Sequence, residues 1–244
     1  MPTYEKLREQ LPVLIETVEE GLMPCDGGRD SWEFARKAKK GAKQIIAPRA
    51  DNQPLDAYFL QEEHHHAYGR PWFLGKYQMQ FLKQRGLLPH HTLLDYGCGA
   101  GRLGVRVIQY LDPGHYYGLD IHRRSLEAFA EYEIPLWDLE GKRPRLLHDA
   151  ESSIEYFGTQ FDWIVDFYSS VHNRQTEQKE VFQKFSRFLK PGGRLLTAPK
   201  PRIEESILAD QGWVLVHQEI QPCPLLEGHG FSPENDWFEY RLLS

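Results

Sequence analysis

Cysteine is scarce in this chain. Three residues in 244, Cys25, Cys98 and Cys223, are scattered along it. That is too few for a disulfide framework or a cysteine-ligated zinc site, and no metal is expected. Long apolar runs are missing too, none approaching the ~20 residues that cross a bilayer. The opening Met1-Pro2-Thr3-Tyr4-Glu5-Lys6 lacks the charged-then-apolar layout of a signal peptide. Positive charge is short: 29 Lys and Arg stand against 35 Asp and Glu, for a net charge of −6. Such a balance disfavours nucleic acid or an anionic membrane as partner, although a local basic patch could still exist. A cytoplasmic protein is expected. Its 41% hydrophobic content can bury one sizeable core with an extension attached.

What is present centres on Leu93-Leu94-Asp95-Tyr96-Gly97-Cys98-Gly99-Ala100-Gly101-Arg102-Leu103-Gly104. A short apolar strand meets an acid, a glycine-rich turn and then a helix predicted from Arg102 to about Leu111. Glycine permits positive φ and lets main-chain N–H groups approach a ligand closely. The following helix places its positive end at the same spot. Two cofactor classes fit such a turn. Gly99 to Gly104 matches G-x-G-x-x-G, and Asp120 lies a plausible distance downstream for a ribose hydroxyl of a dinucleotide. Asp95, however, turns the stretch into D-x-G-x-G-x-G. An acid there suits a cationic cofactor and would repel a pyrophosphate.

Upstream, residues 1–70 read as an appended helical region. Leu7, Leu11, Leu14, Val18 and Leu22 recur at helical spacing, with Pro12 as a start or break. A second helix is expected from Trp32 to about Lys43, its Arg36, Lys37, Lys39, Lys40 and Lys43 forming a solvated face or, alternatively, an anion-binding lid. His64, His65 and His66 are adjacent, so they cannot all face one ion on a regular element. Pro71 to Arg85 reads as an amphipathic helix stopped by Gly86. The domain boundary is set there, with 1–85 as a helical extension or lid and 86–244 as the main domain. From Thr92 onward strands and helices alternate. Trp213 to Ile220 and Trp237 to Leu243 are then strands with no helix between them, so they should pair antiparallel. The expected fold is α/β: a seven-stranded, mostly parallel, doubly wound sheet with a C-terminal antiparallel hairpin and an N-terminal helical extension.

This order resembles the class I methyltransferases, which use S-adenosylmethionine, across residues 92–243. Leu94 to Gly101 resembles their motif I, and Tyr117-Gly118-Leu119-Asp120 the second-strand acid that holds the ribose diol. His148-Asp149-Ala150 resembles the third-strand acid that accepts from the adenine amine. Phe161 to Asp166 resembles motif IV, and Lys190-Pro191-Gly192-Gly193 the turn before the fifth strand. The resemblance implies S-adenosylmethionine as cofactor, with Asp95, Gly97, Gly99, Asp120, Ile121, Asp149, Ala150 and Asp166 around it. Arg70 is a candidate partner for the cofactor carboxylate. Cys98 is expected to pack in the turn.

Methyl transfer from a sulfonium is an in-line displacement, so positioning the acceptor carries much of the catalysis. A base that takes the acceptor's proton adds typically 10²–10⁴-fold. His172, shortly after motif IV, is the candidate base, with Tyr168 and the His64–His66 group behind it. Motif IV lacks the Asn/Asp-Pro-Pro-Tyr pattern of amino-directed DNA methyltransferases. Stretches around Tyr77 to Pro89 and Tyr110 to Asp120 are similar to uncharacterised bacterial enzymes of glycan or small-molecule pathways. The expected acceptor is therefore a sugar or metabolite hydroxyl, with the N-terminal region and the Gln221–Asn235 loop as its lid. The alternative is a cofactor-binding module that regulates a partner without turnover.

Overall fold

In a computed structural model, residues 15–17, 71–149, 153–222 and 234–243 are described. They build a single eight-stranded sheet in the order β1-β4-β3-β2-β5-β6-β8-β7. Its strands are β1 (Ile15–Thr17), β2 (Leu93–Tyr96), β3 (Tyr116–Asp120) and β4 (Arg145–His148), then β5 (Phe161–Phe167), β6 (Leu189–Ala198), β7 (Trp213–Pro222) and β8 (Glu234–Leu242). The helices used below are α1 (Pro71–Gln84), α2 (Gly104–Tyr110), α3 (Arg123–Ala128), α4 (Gln175–Phe188) and α5 (Glu205–Asp210). Strands β1 to β6 run parallel, and β8 pairs antiparallel with both β6 and β7. The seven strands from β2 to β8 are the expected sheet with its closing hairpin.

The period of two along each strand divides the core into two layers. Leu93, Tyr116, Leu146, Trp163, Val165, Phe167 and Leu196 face one side, where Met79, Phe81 and Leu82 of α1 cover them with Val105, Val107 and Ile108 of α2. Leu94, Tyr96, Leu119, Leu147, Ile164 and Leu195 face the other, under Val181, Phe182 and Phe185 of α4. Helix α1 thus shares the main domain's core, and Phe81 stacks on Trp237 of β8 with ring centroids 4.3 Å apart. Gly75 of α1 lies where a Cβ would strike the Arg102 carbonyl, so only a glycine lets this helix sit against the cofactor-type turn.

Several boundaries differ from the sequence reading. Inside the run read as helical, Ile15–Thr17 is extended and pairs with Leu146, Leu147 and His148 of β4. Two of its three residues are β-branched, and β4 offers an unpaired edge, so pairing outweighs the helical spacing. Helix α2 begins at Gly104, two residues late, because the glycine turn consumes Arg102 and Leu103. Helix α3 is followed by a π-type stretch, Phe129–Glu133, and a last short turn, Ile134–Leu136. Lys190-Pro191-Gly192-Gly193 lies within β6, bulging out between the Phe161–Leu189 and Trp163–Arg194 pairs. The helix expected from Trp32 to Lys43, and His64 to His66, lie outside the described residues.

Candidate functional site

Strands β2, β3, β4 and β5 end together. Tyr96 pairs with Leu119 on one side and with Asp166 on the other, and Asp120 pairs with His148. The chain builds outward from β2 to β3 and β4, then returns to place β5 on the opposite flank of β2. In an open parallel sheet that reversal opens a crevice at the carboxyl ends of the strands. Asp95, Asp120, Asp149 and Asp166 all come to this rim, each nearly buried.

The glycine turn lies across the crevice. Gly97, Gly99 and Gly101 have φ of 74°, 55° and 87°. A Cβ on Gly97 would enter the Ser169 side chain, so the turns after β2 and β5 touch at that glycine. Gly97 and Cys98 both donate their amides to the Leu119 carbonyl, at 2.7 and 3.1 Å. Asp120 completes the tie: Oδ2 accepts from the Gly99 amide at 2.8 Å and Oδ1 from the His122 amide at 2.7 Å. A carboxylate oxygen has more than one lone-pair site, so each can accept another hydrogen bond from a ligand hydroxyl. Beside it, Ile121 exposes 42% of its surface, an apolar face next to an acid.

Alternation separates two of the acids. Asp95 shares a face with Leu93, and Asp120 with Tyr116, both on the α1 side of the sheet. Asp95 Oδ2 accepts the Tyr116 phenol proton at 2.8 Å. Burial pushes its carboxyl up to about 7, against the pull of the Tyr116 bond and of Arg102. Asp166 shares a face with Ile164 and Tyr96, toward α4. It accepts from the Ser170 amide at 2.9 Å and from the Ser170 hydroxyl. Burial raises its carboxyl to about 6. Asp149 accepts the Ser153 amide, and its own amide donates to the Asp120 carbonyl at 3.1 Å, so β3 and β4 end in register.

Beyond β5 the chain turns sharply. Tyr168 holds φ of 63°, which is strained for a tyrosine, and its amide donates to the Ala198 carbonyl at 2.7 Å. The Arg102 guanidinium sits 5.8 Å from the centre of its ring. Ser170–His172 forms a single 3-10 turn, and His172 is exposed at the rim. Cys98 is buried, and burial first of all pushes its thiol well above the ordinary range, which fits packing. Arg70 and Ala150 lie outside the described residues. Ser169, Ser170, Tyr116 and Arg102 were not singled out by sequence. An acid followed four residues later by a serine was the available signal for the β5 turn.

The donors and acceptors suit a cofactor with hydroxyls, a base edge and cationic groups. Carboxylates stand at the strand ends, an apolar side chain is exposed beside Asp120, and among the described residues the glycine turn itself carries one cation, Arg102. A family profile described as a methyltransferase domain matches residues 87–209, half of the chain. An uncharacterized methyltransferase of Schizosaccharomyces pombe is 26% identical over 132 residues, 48% of this chain and 40% of that protein. The chain thus spans about two fifths of that relative's length. The fold is shared with magnesium protoporphyrin IX methyltransferase ChlM of Synechocystis PCC 6803, solved with bound S-adenosylmethionine: TM-score 0.58, 14% identity, covering 91% of this chain and all of that one. It is also shared with the glycopeptide N-methyltransferase MtfA, solved with sinefungin: TM-score 0.53, 12% identity, covering 69% and 94%. Sequence motifs, sheet order and family match agree, and the chain belongs to the class I S-adenosylmethionine-dependent methyltransferases.

Proposed function

We propose that this protein transfers a methyl group from S-adenosylmethionine to a small-molecule acceptor, with a sugar or metabolite hydroxyl as the acceptor group. One observation carries the reading: a glycine turn and the acids Asp95, Asp120 and Asp149 meet at the rim where the strand order reverses. The cofactor supplies an electrophilic methyl on a sulfonium. Asp120 accepts the ribose hydroxyls through its remaining lone pairs, and Asp149 accepts the adenine amine. Ile121 packs against the base. Gly97 and Gly99 leave the backbone free to lie along the methionine portion. Asp166 keeps the β5 turn in place through Ser170, leaving the cationic end of the cofactor to Asp95. The acceptor enters over Tyr168 and His172, and His172 takes the hydroxyl proton as the methyl moves.

The acceptor class rests on the acidic balance and on the lack of the Asn/Asp-Pro-Pro-Tyr pattern at the end of β5. The two structural neighbours are named for a porphyrin and a glycopeptide, so the shared fold serves acceptors of different chemistry.

Thermal melts with S-adenosylmethionine, S-adenosylhomocysteine and NAD(H) test the cofactor. A ligand at about 100 times its Kd stabilises by roughly 2.7 kcal/mol, or a melting shift of about 5–11 °C at this size. The shift is expected with the first two ligands only; a shift with NAD(H) alone would overturn the reading. Transfer to a panel of hydroxyl acceptors follows. His172→Ala should lower kcat by about 10²–10⁴-fold with cofactor affinity unchanged. Tight cofactor binding with no turnover on any acceptor, and a stable protein partner, would instead select the regulatory module.

A further inference from the structure

The amino-acid end of S-adenosylmethionine carries an ammonium and a carboxylate on one carbon. The function proposed above gives the ammonium to Asp95 and lays the methionine portion along Gly97 and Gly99. The carboxylate then has no positive partner. A carboxylate drawn out of water must be paired or hydrogen-bonded, so a cation is required at the same end of the crevice, where β2 and β5 part. This inference rests on the methyltransferase reading.

Other cations at the rim have other places. Arg123, past β3, pairs with Glu127 at 3.0 Å, and Lys200, past β6, with Glu205 at 2.8 Å. Arg174 opens α4 over the other layer of the core, its side chain 87% exposed. Arg102 is different. It follows Gly101, whose φ is 87°, at the end of the glycine turn. Its carbonyl meets Gly75 of α1, where a Cβ would come within 1.8 Å, so the helix holds this piece of backbone. Its guanidinium lies 5.8 Å from the centre of the Tyr168 ring, which packs on the α1 layer of the core. Its charge is close enough to Asp95, on that same layer, to pull on the carboxyl. The side chain therefore reaches from the turn after β2 toward the turn after β5. Those turns touch where the Ser169 side chain fills the space beside Gly97. An acid and a guanidinium on one layer, next to the glycines, complement an ammonium and a carboxylate carried together. Arginine suits the second task because its planar fork offers a carboxylate two parallel N–H bonds.

We propose that Arg102 determines specificity for the amino-acid end of the cofactor, its guanidinium holding the α-carboxylate while Asp95 holds the ammonium. Tyr168 steadies the guanidinium from the β5 side, and α1 fixes its backbone through Gly75. The glycine turn thus supplies the partner that the sequence reading sought in Arg70. The site reads the carboxylate as well as the sulfonium, and it discriminates against a sulfonium nucleoside that lacks one.

Titration calorimetry of the full chain with S-adenosylmethionine and with decarboxylated S-adenosylmethionine, which differ only in that carboxylate, tests this. The unsubstituted protein is expected to prefer the first by about 10–100-fold, as for one charge-assisted, two-pronged contact. Arg102→Met, which keeps an apolar stem, should weaken S-adenosylmethionine by about the same factor. It should leave the decarboxylated ligand within about twofold, because that ligand never used the guanidinium. Arg102→Lys keeps a cation without the fork and should cut the preference by about three- to tenfold; it stands in where the methionine variant does not fold. A general disturbance of the turn would instead weaken both ligands alike and keep their ratio. A preference absent from the unsubstituted protein, or surviving in either folded variant, overturns the proposal and leaves the methyltransferase reading standing. Failure of the unsubstituted protein to bind either ligand overturns both.

Discussion

At the scale of single residues, the rim works through backbone that only glycine tolerates and through acids held at unusual states. Gly97 combines φ of 74° with a Cβ position already filled by Ser169. Gly97→Val should therefore lose cofactor binding altogether and cost roughly 2–4 kcal/mol of stability, from strain and overpacking together; urea unfolding and a melt with S-adenosylhomocysteine check both. Asp95 and Asp166 have folded carboxyls raised to about 7 and about 6 by burial. The sign follows directly. Native protein binds more protons than unfolded chain between about 4 and 7, so their contribution is fully present below about 4 and lost as pH rises through 7. Ligand-free protein should accordingly unfold at lower urea at pH 8 than at pH 5.5. Asp95→Asn should flatten that fall, and an unchanged slope would remove Asp95 as its source.

At the scale of elements, the turn after β5 is the part most dependent on a local network. Asp166 caps Ser170, Ser169 fills the space left by Gly97, and Tyr168 leans toward Arg102 in a left-handed backbone. Ser170→Ala removes the hydroxyl donor to a buried carboxylate and keeps the amide donor. A loss of about 1–3 kcal/mol is expected at pH 8 and a smaller one at pH 5, where Asp166 carries its own proton. Chemical denaturation at the two pH values measures the difference. Periodicity was a good guide to α1, α4 and the paired strands, because those segments bury one face over many residues. It could not show this turn, whose conformation comes from Asp166, Ser170 and Gly97 meeting across different strands.

Across the whole molecule, a second polar cluster secures the covering helix to the hairpin. Glu239 of β8 is 1% exposed and takes Arg85 at 2.6 Å, Arg241 at 3.3 Å and Arg194 at 3.5 Å. Arg85 follows the end of α1, Arg194 lies in β6, and Arg194 also stacks 5.0 Å over Trp163. Removing the carboxylate leaves three guanidinium groups together. Glu239→Ala should cost about 2–3 kcal/mol, below the 3–5 of fully buried pairs because the arginines retain some water. Since α1 also packs Gly75 on the glycine turn, the same variant should loosen cofactor binding from a distance. A melt with and without S-adenosylmethionine reads both effects. Among the described residues, no helix is long and apolar enough to cross a membrane.

Sequence alone determined the fold class, because buried parallel strands, amphipathic helices and glycine turns leave periodic marks that need no partner to read. It also determined the cofactor family, through the order of Asp95, Gly97, Gly99, Asp120 and Asp149 along the chain. Tertiary structure decided how those residues are used. Alternation along β2 and β5 puts Asp95 and Asp166 on opposite faces, so one acid faces Tyr116 and the other is spent on Ser170. The three residues Ile15–Thr17 pair as a strand because β4 offers an open edge, which no local window contains. Contacts such as Gly75 on Arg102 and Arg85 on Glu239 join residues far apart in the chain, and only the folded chain brings them within reach.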